Sequence, residues 1–169
     1  MSTTPSITPS ITKTKFVYVT YILSTPEKVF EALIKPEITR QYWAHENVSD
    51  WKAGSRWEHI RYDSEHKVQL AGKVVECHAP ERLVITWAGI SDFSDPSKHS
   101  RVTFELEPFD AMVRLTVTHD ELEENSGMAL AIVKGWPRVL SSLKSFLESG
   151  QPIDLFSSPS PDMRSELTA

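Results

Sequence analysis

At 169 residues, with 40 % apolar and 24 % charged side chains, the chain suits one globular domain, since single cores grow to roughly 100–200 residues before splitting, and it is unlike disordered chains. A net charge of −5 without any Lys/Arg cluster excludes the basic face that nucleic-acid binding requires. The lone cysteine, Cys77, excludes an internal disulfide and a multi-cysteine zinc site, and a reducing compartment is expected.

The start of the chain is rich in Ser, Thr and Pro and has no apolar run of about 7–15 residues, so it is not a secretory signal; residues 1–14 are expected to be a disordered lead. No stretch is apolar and long enough to span a membrane, and a cytoplasmic location is expected. Phe16 to Leu23 alternates, with Val17, Val19, Tyr21 and Leu23 on one face, and reads as a strand. Ser24-Thr25-Pro26-Glu27 is a helix start, followed by the stripe Val29, Phe30, Leu33 and Ile34. Pro36 ends that helix and opens a second short one, in which Ile38, Tyr42 and Trp43 can face inward. Asn47-Val48-Ser49 matches a glycosylation sequon, which means nothing without secretion.

Gly54 sits in a turn, after which Arg56 to Asp63, Val68 to Cys77, Arg82 to Trp87, Arg101 to Pro108 and Met112 to His119 read as strands. With the first strand this makes about six. Their connections are too short for crossover helices, so one antiparallel meander is expected. From Ser126 to Glu148 the period becomes helical, with Trp136, Leu140, Leu143 and Leu147 on one stripe and Gly150 as C-cap. Pro137 lies inside this span and should kink or restart the helix, placing the straight portion from about Trp136 onward. Residues 152–169 read as a mobile tail with Ile153, Leu155 and Phe156 as docking candidates, leaving 15–151 as the domain.

These elements define an α+β architecture in which the curved sheet wraps one long C-terminal helix. A helix about 10–12 Å wide does not fill such a sheet along its whole length, so a cavity near one end is the default ligand site. Alternation puts Val102, Phe104 and Leu106 inside, with Leu83, Ile85 and Trp87, and Val113, Leu115, Val117 and His119. The second strand is ambiguous, because Trp57, His59 and Arg61 oppose Ile60 and Tyr62. If Trp57 faces in, His59 and Arg61 become polar fixtures among Trp43, Trp87, Phe104 and Trp136, able to anchor a carboxylate or phenolate; surface placement is the alternative. Trp136 opens the terminal stripe, with Leu140 one turn further on. His119 ends a strand as a hydrogen-bond donor or general base at the cavity mouth, or else as a strand-end residue capping local carbonyls. The acidic run Asp120 to Glu124 reads as a solvated loop before the helix. The six histidines include no i, i+4 pair and no HExxH, so neither a metal nor another cofactor is expected; no serine has a nucleophile-elbow context.

Three stretches together, GKVVECHAPERLVITW (Gly72 to Trp87), SRVTFELEPFDAMVRLTVTH (Ser100 to His119) and GWPRVLSSLKSFLESG (Gly135 to Gly150), resemble the small proteins similar to the C-terminal domain of the activator of the heat-shock chaperone ATPase, within the START and Bet v-like (SRPBCC) helix-grip superfamily. Gly54-Ser55-Arg56-Trp57 resembles that family's glycine turn, although a second glycine often stands where Ser55 is. The resemblance spans about Lys15 to Gln151. It implies a helix-grip fold and a cavity that in this superfamily often takes lipids, sterols, polyketides or flavonoid-like aromatics. Binding an apolar small molecule is therefore the leading expectation, with no reaction assigned and a homodimer left open. A cyclase or hydrolase using His119 or His59 comes second. Chaperone regulation and a stress response rest on the family's name alone and come last, since the activators carry a further N-terminal domain.

Overall fold

The computed structural model describes residues 10–155. In chain order the elements are β1 (Lys13–Ile22), α1 (Pro26–Ile34), α2 (Pro36–Trp43), β2 (His45–Val48), β3 (Arg56–Arg61), β4 (Val68–His78), β5 (Arg82–Gly89), β6 (Ser100–Phe109), β7 (Met112–Glu123) and α3 (Gly127–Ser149). Short 3-10 turns at Ile90–Asp92 and Pro96–Lys98 bridge β5 to β6. All strands join one antiparallel sheet in the order β1-β7-β6-β5-β4-β3-β2. The short connections dictate this meander, and only β1 leaves it, crossing over to pair with β7.

Local chemistry fixes the helix ends. Thr25 Oγ1 accepts the Lys28 N–H at 3.3 Å and Pro26 follows at the first helical position. Pro36 then restarts the chain as α2, which stops at Ala44 in the left-handed region (φ 56°). Ser126 Oγ caps α3 by accepting the Ala129 N–H at 3.1 Å, and Gly150, at φ 75°, closes it by donating to the Phe146 carbonyl at 2.8 Å. Along α3, Ile132, Trp136, Val139, Leu140 and Leu143 are buried against the sheet.

Several expectations need correction. The sheet has a seventh strand, β2, paired with β3. Its inward side chains are polar, His45 and Asn47, and Val48 is the exposed one, so hydrophobic alternation runs backwards there and hides the strand. The acidic run is no loop: Asp120 to Glu123 continue β7, with Leu122 buried and Glu123 opposite Lys13. β1 accordingly starts at Lys13, inside the expected lead. Pro137 does not restart the helix; α3 is continuous over 23 residues. The bond that Pro137 cannot make would end on the Val133 carbonyl, and Val133 is half exposed, so water can take its place. Asn47 of the sequon is 5 % exposed, which leaves no room for a glycan on the folded chain.

On β1 the exposed face is Val17, Val19, Tyr21, while Phe16, Tyr18 and Ile22 pack on the core. Ser142 Oγ donates to the Ile153 carbonyl and accepts the Ile153 N–H, both at 3.1 Å, and Arg138 donates to the Leu155 carbonyl at 2.7 Å. The chain after α3 is thereby tied back along the helix. Phe156 lies outside the described residues.

Candidate functional site

Four strands and two helices bring seven rings together. Trp43 ends α2, Trp57 and His59 sit on β3, Trp87 on β5, Phe104 on β6, His119 on β7 and Trp136 on α3. Ring centroids lie 4.7 Å apart for Trp43 and His59, 5.3 Å for Trp57 and Trp87, 5.4 Å for Trp87 and Trp136, and 5.7 Å for Phe104 and Trp136. Trp57 and His59 are both buried, which resolves the ambiguity of the second strand: Trp57, His59 and Arg61 form its inner face. Such a cluster rigidifies one end of the core through large buried area and edge-to-face contacts.

Beside the cluster the sheet and α3 part. A cavity of about 660 Å³ opens there, bounded by Lys67, Val68, Gln69 and Leu70 of the β3–β4 hairpin, by Ile90, and by Met128, Ala131, Ile132, Gly135 and Val139 of α3, with Leu155 at its edge. Trp43, His59, Arg61, Trp87 and Trp136 are the expected site residues that line it. Trp57, Phe104, His119 and Leu140 do not; they form the packed layer behind it. The size falls in the range of small-molecule sites.

The polar groups of the site separate into two networks. In the first, Asn47 Nδ2 donates to the Leu33 carbonyl at 3.1 Å, so its amide oxygen faces His59 and accepts from His59 Nδ1 at 2.6 Å. The Asn47 N–H is held by Thr39 Oγ1 at 3.0 Å, which pins β2 to α2. His45 stacks on His59, with centroids 4.1 Å apart and planes 4° from parallel, while its ring nitrogens meet the Trp43 carbonyl at 2.9 Å and the Gln69 side-chain amide at 2.7 Å. Burial, then the neighbouring His45, holds His59 well below the ordinary imidazole range, so it is neutral.

The second network closes on itself. Trp136 Nε1–H donates to His119 Nδ1 at 3.0 Å, so Nδ1 carries no proton. Nε2–H then donates to Ser100 Oγ at 2.7 Å, and the Ser100 hydroxyl donates to the Trp87 carbonyl at 3.1 Å. Both ring nitrogens of His119 are occupied. Burial lowers its pKa from 6.5 to about 4, against a smaller raising effect of Asp120. This histidine is neither at the cavity mouth nor capping a carbonyl: it ties α3 to β6 and has no lone pair for a substrate proton. Arg61, on the rim, is paired with Asp63 and, at 3.8 Å, with Glu65, so the chain's own acids occupy the group expected to take a carboxylate.

Sequence reasoning missed Asn47, His45, Gln69 and Ser100. Polar residues in strands carry no periodic signal unless their face is known, and here the face follows only once β2 is paired. Among the described residues no group of three or more His, Cys, Asp or Glu side chains could hold a metal ion, and no helix is long and apolar enough to cross a membrane.

Comparison with known proteins agrees with this geometry. Residues 24–148 match the family described as Activator of Hsp90 ATPase homolog 1-like protein. The chain belongs to that family. Among solved structures it is similar to the Aha1 dimer of Colwellia psychrerythraea (TM-score 0.68, 21 % identity, 81 % of this chain and 98 % of that one) and to an HSP90 activator from Plasmodium falciparum (0.65, 20 %, 79 % and 95 %). It also resembles DynU16, from the dynemicin biosynthetic locus (0.66, 20 %, 82 % of this chain and 48 % of that one). At these identities the likeness establishes the shared helix-grip fold. No curated protein matches the sequence.

Proposed function

We propose that this family member binds an apolar or aromatic small molecule between its sheet and α3, without transforming it. The observation that carries the reading is the cavity itself: seven packed rings do not plug the hollow, and about 660 Å³ stays open beside them with Trp43, Trp87 and Trp136 in its wall. The resemblance to DynU16, a protein of the dynemicin biosynthetic locus, is in keeping with a small-molecule ligand. Catalysis by His119 finds no support, because its nitrogens are taken by Trp136 and Ser100.

A ligand seated on these indoles should quench tryptophan emission saturably and raise the melting temperature as its concentration rises, by about 2.7 kcal/mol of stability at a hundred times its dissociation constant. A panel of sterols, fatty acids, flavones and polyketides tests this. Unchanged emission and melting across the whole panel would overturn the reading. Turnover of a bound compound would move the chain to the enzymatic alternative.

A further inference from the structure

Arg61, Lys67, Gln69 and Arg138 line the cavity from its more exposed side, and His59 is the buried polar side chain in its wall. His59 is 3 % exposed and lines the cavity. Its Nδ1 is committed to the Asn47 amide oxygen, and the orientation of that amide is fixed by the Leu33 carbonyl. The proton of the neutral ring therefore sits on Nδ1, and Nε2 carries a bare lone pair. No group among the described residues bonds Nε2. The one fully buried side-chain N or O atom without a partner among those residues is Trp87 Nε1, so His59 Nε2 keeps accessible surface. In a side chain this deeply buried, that surface faces the cavity.

We infer that the cavity selects ligands bearing a phenolic hydroxyl, which donates to His59 Nε2 while the aromatic body lies against Trp43 and Trp87. The inference rests on the proposed cavity reading and sharpens it. A lone acceptor in an aromatic wall rewards a neutral donor. It rewards neither a ketone nor an ether, which bring only acceptors, and a carboxylate would set its oxygens against the lone pair. Of the cations that line the cavity, Arg61 is held by Asp63 and Glu65, Lys67 by Glu65 at 3.2 Å, and Arg138, on the exposed side of α3, donates to the Leu155 carbonyl at 2.7 Å. A phenol is also the most acidic of the common neutral hydroxyl groups, and hydrogen bonds strengthen with the acidity of the donor. Leaving a buried acceptor unpaired costs affinity that an apolar substituent of equal size does not restore.

The test is a matched pair, 2-naphthol and 2-methylnaphthalene, which differ by hydroxyl against methyl at nearly constant volume. Calorimetry on the full chain should show 2-naphthol binding roughly tenfold more tightly, and His59→Phe should abolish the difference while leaving 2-methylnaphthalene binding in place. Independently of any variant, the imidazole ¹⁵N spectrum of the unaltered protein should show the His59 Nε2 resonance in the unprotonated range, moving on addition of 2-naphthol and not of 2-methylnaphthalene. Equal affinities, a preference that survives His59→Phe, or an Nε2 resonance indifferent to 2-naphthol would overturn the phenol inference and leave the cavity reading intact. Binding of neither compound overturns both. Should His59→Phe fail to fold, the spectrum of the unaltered protein decides alone.

Discussion

Gly72→Ala is expected to remove on the order of 4 kcal/mol of stability, a large share of the roughly 5–15 kcal/mol that a domain holds. Between the pairs Ala71/Ala88 and Val74/Ile85 the β4–β5 ladder opens. Two side chains take up the backbone groups it leaves: Trp57 Nε1–H, reaching across from β3, donates to the Thr86 carbonyl at 2.8 Å, and Thr86 Oγ1 accepts the Lys73 N–H at 2.8 Å. Gly72 lies beneath this crossing. A Cβ there would stand 1.9 Å from the Thr86 carbonyl oxygen and 2.6 Å from Trp57 Nε1, and the nearer atom is backbone, which cannot swing aside. The strands must separate, the indole loses its acceptor, and a buried carbonyl is left unpaired. Trp57→Phe should not rescue the variant, because the closer clash is with the carbonyl. Gly135→Ala is the control: nothing lies within 4 Å of its Cβ position, and alanine in a helix gains up to about 1 kcal/mol. Urea unfolding of the three variants beside the unaltered protein measures all of this, and a Gly72→Ala loss below about 1 kcal/mol would mean that the crossing yields without strain.

Gly72 also shows where reading the sequence stops. Its position inside a strand was plain, and so was the order of helix pair, strands and terminal helix, because Val, Ile and Leu alternate or recur at helical spacing in β5, β6, β7 and α3. What alternation cannot convey is a contact between three strands, such as Trp57 over Gly72 to Thr86. The same limit hid β2. His45 and Asn47 point inward because Trp43, Leu33 and His59 receive them, and the last two lie 14 and 12 residues from Asn47 in sequence. Of the candidate site, Trp87 was expected inside from its strand's face, and Trp43 and Trp136 from their helices, whereas His59 and Arg61 stayed open until the inner face of the second strand was known. Depth was not: Trp57, Phe104, His119 and Leu140 share those faces yet sit one layer behind the cavity, and only the curvature of the sheet separates the two groups.

His119 is expected to make the fold acid-sensitive rather than catalytic. In the unfolded chain its imidazole titrates near 6.5, and in the folded protein near 4, because burial disfavours the charged ring; protonating Nδ1 would also set it as an opposing donor against the Trp136 N–H. The unfolded state therefore binds more protons between those values, and stability is full above about pH 6.5 and falls as the pH drops toward 4. From pH 7 to 4.5 this one group accounts for a loss of about 2 kcal/mol. His59, also held neutral by burial, adds a loss of the same sign, so the measurement must isolate His119. His119→Gln does so: it retains a polar side chain between Trp136 and Ser100 but has nothing to titrate. Urea unfolding at both pH values should show the unaltered protein losing about 2 kcal/mol more than His119→Gln, with the contribution of His59 common to both and cancelling. Equal losses would mean that the chain from Trp136 through His119 and Ser100 to the Trp87 carbonyl opens on acidification without cost, and that α3 is held to β6 by packing alone.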